Sequence, residues 1–209
     1  MQKCTLLFVL FLLALAAPAG ATVINFDDLN TPNSGVHIAN WGVVPGSYAG
    51  YNWSGFEVID GVTFQSVYAP LAFPSINNAA YNGENGNSDV TMSAASPFSL
   101  SGAYFSFWPN VGQYASNSVT VTGTLGGNPV GSPVVVNLGT SAGFNWVPIN
   151  LNGVDTVHFA TTQGTYWLAD NITTSGGAVP EPGSLALLGT GLVGLGWIGR
   201  KRRAAIAAR

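Results

Sequence analysis

Apolar positions along the chain fall into three regimes. From residue 6 to 17 and again from 183 to 199 they run on without a charge. Between those runs, short stretches rich in Val, Ile, Thr, Phe, Tyr and Trp alternate with clusters of Gly, Asn, Pro and Ser. No window of a dozen residues there places apolar side chains at helical spacing. The pattern predicts strands at residues 22–26, 56–59, 62–67, 90–93, 103–108, 118–124, 134–138, 144–151, 154–160 and 166–173. About ten short strands at this spacing imply an all-β fold, a jelly-roll β-sandwich. Asp60-Gly61 between two apolar runs predicts a type I′ hairpin, and Gly126-Gly127-Asn128 a further turn. Residues 30–55 and 68–89 read as long loops, where binding side chains concentrate. No repeat of about 20 to 50 residues is present, which argues against a solenoid or propeller.

The two apolar runs carry different addresses. Lys3, the apolar run from Leu6 and then Ala19-Gly20-Ala21 have the order of a secretory signal peptide over residues 1–21, with a mature start at Thr22. Its partners would be the secretion translocon and signal peptidase. The second run, at about 1.5 Å per residue, just reaches across a bilayer core and predicts a single transmembrane helix at about residues 183–199. Arg200, Lys201, Arg202 and Arg203 follow as a cytoplasmic stop, leaving residues 1–182 outside. The body is then a β-sandwich domain over residues 22–172 and a small-residue linker over 173–178.

Charge narrows the function. All six basic residues, Lys3, Arg200, Lys201, Arg202, Arg203 and Arg209, lie in the end segments. Residues 22–178 hold Asp27, Asp28, Glu57, Asp60, Glu84, Asp89, Asp155 and Asp170 against no base, a net charge of −8 with the histidines neutral. A nucleic acid is excluded as partner, because nothing in the domain can displace counterions from its backbone or clamp a phosphate. Cys4, the single cysteine, leaves with the signal peptide, so disulfides and thiolate chemistry are excluded too.

The order Val179-Pro180-Glu181-Pro182, an apolar run rich in Leu and Gly, and the basic cluster Arg200-Lys201-Arg202-Arg203 resembles the PEP-CTERM sorting signal of Gram-negative, exopolysaccharide-producing bacteria. The resemblance covers residues 179–203. It implies that an exosortase recognises the tail and removes it near Pro-Glu-Pro. The protein would be held transiently in the inner membrane and delivered to the cell surface or extracellular matrix. A second resemblance lies in Ile24-Asn25-Phe26-Asp27-Asp28-Leu29 and Tyr166-Trp167-Leu168-Ala169-Asp170-Asn171-Ile172, which look like the first and last strands of jelly-roll domains similar in architecture to carbohydrate-binding modules. That likeness implies paired terminal strands and a structural calcium nearby.

Candidate chemistry follows from these features. If the terminal strands are antiparallel neighbours, Asp27, Asp28, Asp170 and Asn171 converge with the oxygen ligands that calcium takes. The competing reading is that they cap strands and turns. Trp41, Tyr48, Tyr51, Trp53 and Tyr81 lie outside the predicted strands, and rings of this kind stack on the apolar faces of sugars. The competing reading places them in the core. His37 and His158 stand in no zinc-ligand spacing. Glu57, Asp60 and Glu84 could serve a glycosidase, but nothing in the spacing pairs them. The expectation is therefore a non-catalytic structural or adhesive protein with polysaccharide contacts. The alternatives are a secreted glycan-active hydrolase and a permanently membrane-anchored binding protein.

Overall fold

The computed structural model describes residues 20–32, 40–68, 71–109, 111–139 and 143–176. The chain divides into two compact units, Met1–Ala178 and Val179–Arg209. The expected transmembrane helix, the sorting motif, the basic stop, nearly all of the signal peptide and His37 lie outside the described residues. Among the described residues no helix is long and apolar enough to cross a membrane. Among the described residues eleven strands and one α-helix follow in order: β1 (Thr22–Ile24), β2 (Trp41–Val43), β3 (Ser47–Tyr48), β4 (Tyr51–Ser54), β5 (Glu57–Asp60), α1 (Gly61–Val67), β6 (Asn78–Tyr81), β7 (Asp89–Phe107), β8 (Ser118–Leu125), β9 (Asn128–Asn137), β10 (Asn145–Ala160) and β11 (Trp167–Ser175). The fold is all-β and its ladders are antiparallel, as the alternation predicts.

Two long strands turn one hydrogen-bonded network into two layers. β7 and β10 pair over most of their length, but the register shifts between Pro148 and Leu151, Leu151 and Val154, and Val154 and Thr156. Before the shifts in β7, Met92 and Ser93 sit between β4 and the second half of β10. Beyond them, Tyr104 and Phe105 sit between β11 and the first half of β10. The first layer therefore runs β3-β4-β7-β10-β8-β9, and the second β2-β5-β6-β11-β7-β10 with β1 on β11. Rings close the space between them. Phe159 of the first layer stacks on Trp167 of the second at 5.9 Å, and Phe105 and Phe56 flank the pair. Phe26, Phe105, Phe159 and Trp167 are almost wholly inaccessible. Burying each such side chain contributes about 1.5–3 kcal/mol.

The outer face of the second layer builds a separate core. Strand alternation sends Val58, Ala80, Trp167 and Ala169 inward, and Ile59, Ala79, Tyr81 and Leu168 outward. α1 covers these outward residues, with Phe64 set against Phe73 and Trp108. Here the sequence reading is corrected, since residues 62–67 are helix and Asp60-Gly61 is no hairpin. The Asp60 carboxylate accepts the Thr63 N–H at 2.7 Å and its hydroxyl at 2.9 Å, which makes Asp60 the helix N-cap. The strands predicted at 90–93 and 103–108 are parts of β7, and those at 144–151 and 154–160 are parts of β10. Alternation lapses where the strands change layer, at exposed Ala95, Ser96, Pro97, Asn152 and Gly153. The expected long loops contain β2, β3, β4 and β6, each of two to four residues and too short to show a period.

The layer change leaves no room beside Gly123 of β8. A Cβ there would lie 2.5 Å from Val154 Cγ1 and 3.2 Å from Leu151 Cδ1. Gly123→Ala is expected to destabilise the domain by about 1–3 kcal/mol through overpacking. A urea melt should show a lower midpoint at unchanged slope.

Candidate functional site

Cross-strand register assembles a row of side chains on the outer face of the second layer. Glu57 lies opposite Tyr81, Tyr81 opposite Leu168, and Leu168 opposite Ser106. Opposite residues share a face, and the next residues on that face are two positions along the chain. Tyr166 and Trp108 extend the row beyond Leu168 and Ser106, their rings 5.4 Å apart. Trp41 and Ile59 form the adjoining row. The result is a pocket with an empty volume of ≈ 540 Å³, open solvent included. It is lined by Trp41, Ile59, Tyr68, Tyr81, Glu84, Trp108, Val111 and Tyr166.

Trp108 is the hub of the aromatic lining. Its ring lies 5.1 Å from Phe64, 5.3 Å from Tyr81 and 5.4 Å from both Tyr68 and Tyr166. Its buried indole N–H has no acceptor among the described residues. The Tyr81 hydroxyl donates to Glu57 Oε2, and the Tyr166 hydroxyl donates to the Glu84 carbonyl oxygen at 2.6 Å. Burial raises the Tyr81 phenol well above its ordinary range, reinforced by the hydrogen bond to Glu57 and by the charges of Glu57 and Glu84. Burial followed by the same two charges also raises Tyr166, and burial alone raises Tyr68. All three remain neutral phenols at physiological pH.

The loop that carries Glu84 is fixed from beneath by Asn82, which is fully buried. Its amide donates to the carbonyls of Asn87 and Thr165 and accepts the Trp167 N–H. Gly83, at φ 76°, lies where a Cβ would meet Asn87 Nδ2 at 2.7 Å and the Gly55 carbonyl at 2.8 Å, so glycine is required there.

The structure separates the five aromatic residues singled out from sequence. Trp41 and Tyr81 line the pocket. Tyr51 and Trp53 do not serve a surface, because β4 alternates and turns both into the inner core, 4% and 6% exposed. Tyr51 donates to Thr174 Oγ1, and Trp53 Nε1 donates to the Tyr48 carbonyl. Tyr48 stacks on Phe26 and gives its hydroxyl to Asp28 at 2.5 Å, outside the pocket lining. Tyr68, Trp108 and Tyr166 escaped the sequence reading. The last two fell inside predicted strands, and only the register reveals that they face one another. Of the three carboxylates weighed for glycoside hydrolysis, Asp60 caps α1, Glu84 lines the pocket, and Glu57 accepts the hydroxyl of Tyr81, a lining residue. The sequence also holds Gly139-Thr140-Ser141-Ala142-Gly143, which matches the nucleophile-elbow pattern. It connects β9 to β10, two paired-sheet strands, where that motif needs a strand followed by a helix.

The terminal strands pair antiparallel, with Thr22 opposite Thr174 and Ile24 opposite Ile172, as expected. Asp27 and Asp170 thereby reach the same segment, residues 75–78. Asp27 Oδ1 accepts the N–H groups of Asn77 and Asn78, both at 3.0 Å. Asp170 Oδ2 accepts the Ser75 N–H at 2.7 Å, and its Oδ1 accepts the Asn171 N–H at 2.6 Å. Asp28 is engaged by Tyr48, and Asn171 sits at φ 48°. Four backbone N–H groups thus point at the carboxylates of Asp27 and Asp170, which cap the turn at residues 75–78 and the reversal at Asn171. Among the described residues no group of three or more His, Cys, Asp or Glu could hold a metal. His158 pairs with Asp89 at 2.9 Å on the surface.

Residues 178–203 match the family model of the PEP-CTERM protein-sorting motif. That motif marks the chain for export and sorting to the cell surface. No curated protein sequence matches the chain. Among solved structures, it is similar to TmCBM61 in complex with β-1,4-galactotriose, at 12% identity and TM-score 0.36, covering 62% of this chain and 90% of that one. It is similar to an F5/8 type C domain from Bacteroides fragilis, at 15% identity and TM-score 0.31, covering 63% and 97%. A family 16 carbohydrate-binding module-2 matches at 16% identity and TM-score 0.33, covering 64% and 99%.

Asp170 gives the domain a pH dependence. Burial raises its carboxyl from 3.8 to about 6, against the hydrogen bonds from Ser75 and Asn171 that favour the ionised form and with a small push from the charge of Asp27. The folded chain holds this proton more tightly than the unfolded chain does. Stability is therefore expected to fall as pH rises from about 4 to about 6, by on the order of 3 kcal/mol in total, and then to level off. Chemical denaturation across that range should show the decline in the wild type and its loss in Asp170→Asn.

Proposed function

We propose that the chain is an exported protein whose β-sandwich grips polysaccharide at the cell surface or in the matrix without cleaving it. The observation that carries this reading is the pocket on the outer face of the second layer, where Trp41, Tyr68, Tyr81, Trp108 and Tyr166 surround a space edged by hydroxyl and carboxylate groups. The C–H face of a sugar ring packs on aromatic faces, while its hydroxyls pair with the polar edge. In this account residues 1–21 are a signal peptide removed after translocation. Residues 22–172 are the cargo and 173–178 a linker. The tail holds the chain briefly in the inner membrane of a Gram-negative cell until an exosortase cuts near Pro180-Glu181-Pro182.

A hydrolase is the second reading, because Glu84 lines the pocket and Glu57 is bonded to Tyr81, which lines it too. Glycoside hydrolysis needs one carboxyl as acid and another as base or nucleophile across the scissile bond. Glu57 instead accepts the Tyr81 phenol, an arrangement that favours holding a ligand over attacking it. Release of reducing ends from the host polysaccharide, abolished in Glu57→Gln, would establish the hydrolase and displace the binding reading.

Two experiments test the proposal. The intact mass of the protein recovered from the host's medium and matrix is expected to match a chain from Thr22 to the neighbourhood of Pro180. A chain retained through Arg209 and confined to membranes would instead mean permanent anchoring. In affinity electrophoresis through gels containing host exopolysaccharide, the wild type is expected to be retarded. Trp41→Ala, which removes a half-buried ring from the pocket edge, should weaken binding about tenfold or more while the protein stays folded. Equal mobility of both proteins would overturn the sugar site.

A further inference from the structure

Burial divides the residues around the pocket into a floor and a rim. Ile59, Tyr81 and Trp108 are buried and form the floor. Trp41, Tyr68, Val111 and Tyr166 are half-buried, Glu84 is exposed, and these form the rim. Each rim residue comes from a different segment. Trp41 opens β2, Tyr68 ends α1, Glu84 lies in the loop after β6, Val111 follows β7 and Tyr166 precedes β11.

Topology sets those segments on different sides. β2 and β7 flank β5, β6 and β11, so Trp41 and Val111 stand at opposite ends across the strands. Glu57 pairs with Tyr81 and Asp60 with Asn78. Hence α1, which follows Asp60, and the loop of Glu84, which follows Tyr81, leave this strand pair at opposite ends along the strands. Neighbouring parts of the lining are tied together. Tyr68 lies 5.4 Å from Trp108, Trp108 lies 5.4 Å from Tyr166, and the Tyr166 hydroxyl bonds the Glu84 carbonyl at 2.6 Å. A glycan bound along its length needs two opposed openings, one for the chain on each side of the bound unit. With walls across both directions, the opening that remains is the outward mouth.

We propose that the pocket is a socket for the terminal unit of a glycan, a chain end or a branch tip, and does not take units from the interior of a chain. The proposal rests on the pocket being a sugar site and states which part of the polymer enters it. One face of the end unit packs on the buried rings of the floor, its hydroxyls reach the polar rim, and the bond to the rest of the polymer points out through the mouth. The empty volume of ≈ 540 Å³, open solvent included, sits toward the lower part of the usual range for ligand pockets, about 300–1,000 Å³, and suits so short a stretch. Affinity is then set by the end unit and its neighbour, not by the length of the chain behind them.

The test is a tryptophan-fluorescence titration of the full-length chain with fragments of the host exopolysaccharide, made by partial acid hydrolysis and separated into fractions of two, four and eight sugar units. The dissociation constant per molecule is expected to stay within about threefold from the shortest fraction to the longest, and to rise about tenfold or more for every fraction in Trp41→Ala. A steady gain of about tenfold or more from two units to eight, lost in Trp41→Ala, would mean a site that runs along the chain. That result would overturn the inference and leave the sugar site standing, as would binding of the intact polymer with no binding of any fraction. Binding that Trp41→Ala leaves unchanged would lie outside the pocket and overturn both the inference and the sugar site. Absence of binding by every fraction and by the intact polymer would remove the sugar site itself.

Discussion

A domain with eight carboxylates and no Lys or Arg must satisfy its acids from neutral donors, and much of the structure is arranged around that constraint. Asp27 and Asp170 take backbone N–H groups of residues 75–78 and 171. Asp60 takes the first turn of α1, and Asp155 the N–H of Gly126 in the turn between β8 and β9. Asp28 and Glu57 take tyrosine hydroxyls, and Asp89 takes His158. Each such bond fixes a chain reversal, a helix start or an aromatic ring. Hydrogen bonds to an ionised acceptor are worth about 1.5–3 kcal/mol, roughly twice a neutral one. The acids are therefore distributed as fasteners of loops, and Asp170 shows the cost of placing one deep in the protein.

Those fasteners also position the pocket. Capping by Asp60 starts α1 directly after β5, so the helix lies back over the outer face of the second layer and ends with Tyr68 beside Trp108. Glu57, directly opposite in the β5–β6 register, orients Tyr81. The inner core holds the two layers face to face, and the outer core, centred on Phe64 and Trp108, fixes the rings that line the opening. Stability and recognition thus share one set of aromatic contacts on that face.

How far the sequence discloses this follows the range of the interactions. Strands 118–125 and 154–160 show their period because each is paired on both sides and buried on one face. The pairing of the terminal strands was implied by the resemblance of residues 24–29 and 166–172 to the first and last strands of jelly-roll domains. α1 was not, because an aspartate before a glycine serves equally in a hairpin and at a helix N-cap, and the choice depends on what covers Ile59 and Ala79. Trp41 and Tyr81 were visible as aromatics outside the predicted strands. Tyr51 and Trp53 looked the same and went to the core, since a strand of four residues carries too little pattern to announce its face. Trp108 and Tyr166 needed the register between β7 and β11, which a single sequence does not hold.

β11 is the strand by which the described domain leads toward its C-terminal end. It is flanked by β7 on one side and by β6 and β1 on the other. Tyr166, at the pocket, immediately precedes it, and Ser175 closes it. Tension between a ligand in the pocket and an attachment at the C-terminal end would run along the axis of this single strand. Its ladders on both sides would then be loaded in shear, where many hydrogen bonds must yield together, whereas a strand peeled from an edge gives them up one at a time. The same arrangement that brings the rings together would carry such a load in shear.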